Sequence, residues 1–521
     1  MKRAAQRRLP QSSTFWQRHP VLPTVPLRAT GAAAPWPTTP QPALWHGGSS
    51  AGRASDGSAH PLADPRQSLG LLERAQEIDA AFARIEPALR ALALRQFDDS
   101  FAARAGADLE AALGFRVPAA LLRADWARPL DVRRLYARCV LETFCQLITR
   151  QFDRGLAQMS EGESAAELIQ RWGFHAIDIA PCADGRLSGV VDYILRVPPS
   201  VIAYRKSCAG ALFDVEESLR HWETVELRRW REGVPNAAES PTRYLKIGVY
   251  HFSSVDPLHA GCAAHGSDTG RAAAKLAERL RQFDQAVQGT HCCGAAVATL
   301  LIGVDTDTDA IRMHVPDRSG LTHTDRYVDN LALYADSLAL PREAAKEAIR
   351  QAVAACAEVP ADDAASEGMR WFCGYLLKNN MAQIDAVRDW HGGGYGDRGH
   401  TERLIIVGDA VDDVQLRNLA FQAQMDTVEE GAPDLDVGVH ILEKVHGVRG
   451  LPVPVLVHFR YDPRIPGSRE RAEHRARRLQ AAIEARYGAL AQSGGLYVQS
   501  VIRALQGVEL DEVERSAEAA T

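Results

Sequence analysis

Two short stretches of this 521-residue sequence carry the residue types that bind a metal ion and activate water. The first is Cys182-Ala183-Asp184-Gly185-Arg186. A cysteine thiolate there makes a good zinc ligand. An Asp two residues on can face the same pocket, and an Arg two further on can hold that Asp by a paired hydrogen bond. The same five residues also suit a buried cysteine beside a surface ion pair. The second stretch runs from Tyr250-His251-Phe252 to His259-Ala260-Gly261-Cys262, with His265 just beyond. It adds a second thiolate and two imidazoles. Two Cys and one His leave a fourth position open, which is the catalytic pattern, whereas four protein ligands close a structural site. Thiolate and imidazole together favour zinc over magnesium or calcium. His259 and Cys262 stand at His-x-x-Cys spacing, but His251 directly follows an apolar run, so spacing and position point to different histidines.

The elements that must position these groups are strands. Ala176–Ile179 reads as a strand ended by Pro181-Cys182, Tyr244–Tyr250 as another with Leu245, Ile247 and Val249 alternating, and Ala295–Val304 as a third, buried on both faces. Helical stretches such as Arg271–Val287 lie between them, which predicts an α/β domain with a mainly parallel sheet. In such sheets ligand chemistry gathers at the carboxyl ends of the strands. After the glycine-rich loop His391–Gly396 the rhythm begins again: Leu404–Val407 ends at Gly408-Asp409, and Val453–Phe459 carries His458 near its end. This echo predicts a second, related unit without the cysteines. Upstream, Leu71, Leu72, Ala75, Ile78, Phe82 and Ile85 recur at helical spacing, and Leu89, Leu92, Leu94 and Phe97 continue the theme. Leu135, Val140, Phe144, Leu147 and Ile148 mark a further helix, on whose apolar pattern Cys139 and Cys145 read as core. The expected divisions are a tail at 1–60, a helical domain at 61–159, a catalytic domain at 160–399 and a C-terminal domain at 400–521.

Composition sets the outer limits. Apolar residues make up 46% and charged residues 24%, as in ordinary globular proteins, and the net charge of −6 argues against nucleic-acid binding. The charge is uneven: residues 1–60 hold seven Lys and Arg against Asp56 alone, a +6 arm on a −12 body. That arm is rich in Pro, Ser, Ala and Gly and reads as disordered, with Trp16, Trp36 and Trp45 as docking anchors or mere spacer. The apolar run Ala295–Val304 is too short to span a bilayer, and no apolar core follows the N-terminal charges, so neither a membrane span nor a secretory signal is expected. The nine cysteines then stay reduced. His291-Cys292-Cys293 reads as core packing, as do Cys208, Cys356 and Cys373. Asp305, Asp307 and Asp309 mimic the start of a calcium loop, but Ala310 and Pro316 stand where its Gly and Glu belong. The basic run Arg469–Arg478 reads as a solvated helix face.

Cys-x-Asp-x-Arg after one strand and His…Cys after the next resembles the β-class carbonic anhydrases. Longer strings resemble one divergent branch, the carboxysome shell carbonic anhydrases: PCADGRL (181–187), WREGVPN (230–236), PTRYLKI (241–247), GCAAHGS (261–267), HCCGA (291–295), LIGVDTDTDAIR (301–312), ASEGM (365–369) and YDPRIPGSRER (461–471). The resemblance covers about residues 65–510. It implies an N-terminal all-helical domain, an α/β catalytic core like that of β-carbonic anhydrases, and a C-terminal degenerate repeat of that core. It also implies one Zn2+ per chain on Cys182, His251 and Cys262, an Asp184–Arg186 dyad, and His400 near the site as a proton shuttle. The implied chemistry is attack of zinc hydroxide on carbon dioxide and, in reverse, dehydration of bicarbonate, inside an α-carboxysome at its lumen or inner shell face. Rubisco and shell proteins are the implied protein partners, through the tail, and a homodimer or higher homo-oligomer the implied assembly; no nucleic acid or membrane is involved. Ribulose bisphosphate stands as a candidate regulator on pathway logic alone. The rival readings are another zinc hydrolase and a non-catalytic structural carboxysome component.

Overall fold

Asp64-Pro65 opens the first helix, because the Asp64 carboxylate accepts the N–H groups of Arg66 and Gln67 and Pro65 is pre-set for the first turn. The computed structural model describes residues 59–514 except 125–127, 159–164, 235–236, 238, 291–295, 361–366 and 397–398. The tail up to residue 58 and the His291-Cys292-Cys293 string lie outside the described residues. Helices α1 (Pro65–Ala83), α2 (Ile85–Leu94), α3 (Phe101–Leu113) and α4 (Val132–Gln158) form the N-terminal helical region. Ile85, Leu89 and Leu92 are buried, but Leu94 and Phe97, expected to continue that stripe, are 83% and 66% exposed. Leu94 lies two and a half turns beyond Ile85 and so on the opposite face, and Phe97 falls in the turn after α2 ends. Cys139 and Cys145 are buried on α4, and burial pushes the Cys139 thiol up to about 12.

Helix α5 (Ala165–Trp172) leads into the first sheet, built from β1 (Ala176–Pro181), β2 (Tyr204–Arg205), β3 (Arg243–Phe252), β4 (Ala296–Asp305), β5 (Ile311–His314) and β6 (Val328–Asp329). Its order is β2-β1-β3-β4-β5-β6; the first four strands are parallel, and β5 and β6 add antiparallel. Helices α6 (Val215–Arg231) and α7 (Thr269–Thr290) make the crossovers, and α8 (Asn330–Ser337), α9 (Arg342–Ala357) and α10 (Glu367–His391) follow. Strand β3 is buried along nearly its whole length. Lys246, which the alternation would turn to solvent, is buried and holds Asp178 of β1 at 2.8 Å. Both strands are thus inside, and their one charged pair is satisfied internally.

The second sheet contains β7 (Leu404–Gly408), β8 (Ala420–Ala423), β9 (Val453–Tyr461), β10 (Leu496–Ala504) and β11 (Leu510–Glu512), with helices α11 (Val428–Gly447), α12 (Ser468–Arg486) and the short α13 (Gly488–Gln492). Its order is β11-β10-β9-β7-β8, with β8, β7, β9 and β10 parallel and β11 antiparallel to β10. Strand for strand this is the arrangement of β5-β4-β3-β1-β2 in the first sheet, with α6 and α7 in two of its crossovers and α11 and α12 in the two that correspond. His251 of β3 pairs with Val304 of β4, and His458 of β9 with Val501 of β10. The echo in the sequence is therefore a repeated topology. The basic face of α12 is ion-paired, Arg469 and Arg477 with Glu473.

Gly248 tests how tightly this frame is packed. A Cβ there would lie 2.8–2.9 Å from three carbons of Leu276 on α7, so Gly248→Ala must displace the Leu276 side chain. The expected cost is about 1–3 kcal/mol, read as a lower thermal midpoint than the parent's. An unchanged midpoint would show that this side chain moves freely.

Candidate metal centre

Cys182 is the first residue past β1, and its N–H still donates to Val249 of β3 at 3.1 Å. His251 is the last residue but one of β3. Cys262 sits eleven residues on, in a turn where the N–H groups of His265 and Ser267 donate to its carbonyl at 3.0 and 2.9 Å. The three side chains are buried. Their ligand atoms lie within 4.8 Å of one another, and the two sulfurs are 3.9 Å apart. Both ring nitrogens of His251 are buried without a hydrogen-bond partner, a costly state for an imidazole with nothing to bind. Two thiols and an unengaged imidazole at this spacing fit zinc. The Cys262 thiol is pulled down by the Cys182 sulfhydryl, against burial and the nearby Asp184, with help from the N–H groups of Ala264 and His265. Cys182 is pushed up by the same contact and by burial.

The dyad lies directly beside these groups. Arg186 grips Asp184 on both oxygens, Nε to Oδ1 at 2.9 Å and Nη2 to Oδ2 at 2.8 Å, and its backbone N–H adds a third bond to Oδ1 at 2.9 Å. The other guanidinium nitrogen donates to Ala260 O at 2.7 Å. Burial pushes the Asp184 carboxyl up, but Arg186, His251 and His400 outweigh it and hold it well below the usual range. Asp184 Oδ2 is 3.4 Å from His251 Nε2.

The structure separates the two histidines that the sequence left in competition. His259, at the literal motif spacing, has a side chain 79% exposed and pairs with Asp256 at 2.9 Å. His265 is buried and contacts Gly210 O at 3.2 Å. The aspartates that mimic a calcium loop clamp the turn after His251. Asp307 Oδ2 accepts Ser253 Oγ–H at 2.7 Å and the Val255 N–H at 2.8 Å, while Asp305 accepts the Ser254 N–H at 3.1 Å. Cys208, Cys356 and Cys373 are buried and free, as are the other described cysteines.

His400 comes from the chain segment just before β7. Its Nε2 is 4.0 Å from Asp184 Oδ2, and its Nδ1 bonds Glu402 Oε1 at 2.7 Å. Burial pushes its pKa down, but Asp184 and Glu402 outweigh that and raise it. Glu402 was missed in the sequence. It stands two residues after His400, but nothing local says that it is buried, and its contact with the dyad turn spans the chain. An added Cβ on Gly185 would meet Glu402 Cγ at 2.3 Å, so only glycine lets the two approach.

If His251 completes the metal set, His251→Ala loses most bound zinc and nearly all activity, whereas His259→Ala keeps about one zinc per chain. Metal analysis of the two purified variants decides between strand-end position and motif spacing. Zinc lost from His259→Ala but kept in His251→Ala would overturn the assignment.

Comparison with known proteins places the chain beside characterised relatives. Family models described as Carboxysome Shell Carbonic Anhydrase match in three parts: N-terminal at residues 60–152, catalytic domain at 164–400 and C-terminal at 401–517. The carboxysome shell carbonic anhydrase of Halothiobacillus neapolitanus is 45% identical over 466 residues, 87% of this chain and 90% of the relative. That of Prochlorococcus marinus (strain MIT 9313) is 43% identical, over 88% of this chain and 90% of the relative. That of Hydrogenovibrio crunogenus is 36% identical over 95% of this chain and 94% of the relative. With the matched catalytic domain holding the buried Cys182, His251 and Cys262, the chain belongs to the carboxysome shell carbonic anhydrase family of enzymes.

Proposed function

We propose that this chain is a zinc carbonic anhydrase of the α-carboxysome that dehydrates bicarbonate to supply carbon dioxide to rubisco. The observation that carries the reading is the buried Cys182–His251–Cys262 cluster set against the bidentate Asp184–Arg186 pair. Zinc held by those three side chains supplies a Lewis acid that lowers the pKa of water, the general role of the ion in carbonic anhydrases. Asp184, kept ionised, accepts the hydrogen bond of the reacting water and fixes the direction of its attacking lone pair. Arg186 keeps that acceptor charged and immobile, since it is itself tied to Ala260 O. His400, its pKa raised by Asp184 and Glu402 against burial and its side chain 28% exposed, takes the proton toward solvent.

The parallel between the two sheets supports descent of both from one unit like the β-class catalytic core, the second having lost its ligands. Another zinc hydrolase would share the metal set, since an open site activates water for many substrates. A purely structural component would need neither the dyad nor an unengaged buried imidazole.

Asp184→Asn retains zinc, because the three ligands are untouched, but loses the anionic acceptor. Carbon dioxide hydration by stopped flow on zinc-replete protein falls by about a hundredfold or more. Near-normal turnover would remove Asp184 from the mechanism.

The basic, Trp-bearing tail supplies none of the site residues. Deleting residues 1–58 leaves the purified enzyme active and weakens its co-purification with carboxysomes in a salt-dependent way. Rubisco is the first candidate partner and a shell protein the second. Undiminished packaging of the shortened chain would refute a docking role.

A further inference from the structure

Glu402 is a fully buried carboxylate that the proposed chemistry does not yet use. One oxygen bonds His400 Nδ1 at 2.7 Å. The other, Oε2, is buried with no hydrogen-bond partner. A buried carboxylate is expensive unless its charge is balanced and its lone pairs are engaged, and here the close partner is the one imidazole that faces both the dyad and solvent. The surroundings hold the carboxylate in place. Its own backbone carbonyl is bonded by His446 Nε2 at 2.9 Å, and Gly185 packs against its side chain so closely that no Cβ fits between them. Arg186 and Asp184 complete a buried set of alternating charges around it.

We propose that Glu402 is the positioning residue of proton export, fixing His400 as the tautomer with hydrogen on Nδ1 and the free lone pair on Nε2 toward Asp184. The proposal rests on the carbonic anhydrase reading. The Nε2–Asp184 separation of 4.0 Å exceeds direct hydrogen-bonding distance, so the proton crosses through a bridging water. The reacting water held by Asp184 gives a proton to this bridge: one O–H bond forms on the bridging water as another of its O–H bonds breaks and the N–H bond forms at Nε2, leaving the reacting water as hydroxide. The imidazolium keeps its Nδ1–H on Glu402, and no proton passes to that carboxylate. Nε2 then yields its proton to a buffer base in solvent, and the starting tautomer returns. This is how a carboxylate orients a general-base histidine in hydrolases.

The test is Glu402→Gln, of the same shape but uncharged, assayed for carbon dioxide hydration on the zinc-loaded full chain at low buffer concentration. Expected is a fall in kcat of about tenfold or more with kcat/KM unchanged, because proton export follows the chemical interconversion. Added imidazole buffer restores kcat by accepting the proton in place of His400. His400→Ala behaves alike, and the double variant is no worse than His400→Ala, since Glu402 acts only through that ring. Glu402→Asp, which keeps the charge on a shorter stem, recovers part of kcat. Zinc content and the thermal midpoint serve as controls for folding. A parallel fall of kcat and kcat/KM without buffer rescue would make Glu402 a structural residue and overturn the proposal. So would an unchanged kcat at low buffer in an active Glu402→Gln enzyme. A parent that hydrates no carbon dioxide would overturn the functional reading, and this proposal with it.

Discussion

The turn Asp184-Gly185-Arg186 is held from both sides, and most of the site depends on that. On one side Cys182 still pairs with β3, and the Ala183 N–H donates to Cys208 O at 3.0 Å. On the other side the C-terminal part closes on it. The Gln422 N–H donates to Ala183 O at 3.2 Å and the Asn418 N–H to Gly185 O at 2.7 Å, and Ser188 Oγ–H bonds Leu416 O. The Ala183 side chain is counted in the apolar core of the second sheet rather than the first. A three-residue turn carrying two opposite charges would otherwise relax toward water. Its backbone groups are instead satisfied by two sheets at once, so the carboxylate and guanidinium have one orientation available.

That constraint explains how so many charges stay buried beside two thiols. An isolated buried ion pair is a weak source of stability. Here Arg186 is shared between Asp184 and the Ala260 carbonyl, and Asp184 is in turn near His251 and His400, whose positive character holds it ionised. Each charge has a neighbour of opposite sign, and removing one leaves the others uncompensated. The loss on mutating such a member exceeds the worth of any single hydrogen bond.

Much of this was legible in the sequence for a simple reason: strand ends are local. Pro181-Cys182 closes one apolar run and Tyr250-His251 another, and parallel pairing of those runs brings their ends together. The His259-x-x-Cys262 spacing does not bring His259 beside Cys182, because linear distance ignores the course of the chain. The aspartates at 305 and 307 clamp residues 253–255, so the loop doubles back and returns Cys262 to the strand end while His259 is carried out to solvent. Those same aspartates looked like a failed calcium loop because their partners lie about fifty residues away. Glu402 was invisible on the same ground: a glutamate beside a histidine reads as surface until the packing of the second sheet against Gly185 is known. Leu94 failed differently, through a periodicity extended past the point where the helix had turned its other face.

The second sheet repeats the strand order of the first without its cysteines. Its strand β9 carries a histidine, His458, that is fully buried as His251 of β3 is. No cysteine occurs after residue 399 to join it. His458 Nδ1 instead bonds Asp409 O at 3.1 Å, and burial, with Arg503 nearby, holds its pKa down to about 3. It is a neutral packing group at ordinary pH. Yet the strand order is the same, and the chain leading into β7 delivers His400 and Glu402 to the Asp184–Arg186 pair. The ligand-free sheet thus acts as a wall, closing the far side of a turn that the first sheet could hold on only one. A site built on one sheet would expose Asp184 and Arg186 to water and weaken the field between them. Two sheets that share a strand order thus supply both the Cys182–His251–Cys262 cluster and the dry wall that keeps the Asp184–Arg186 pair charged.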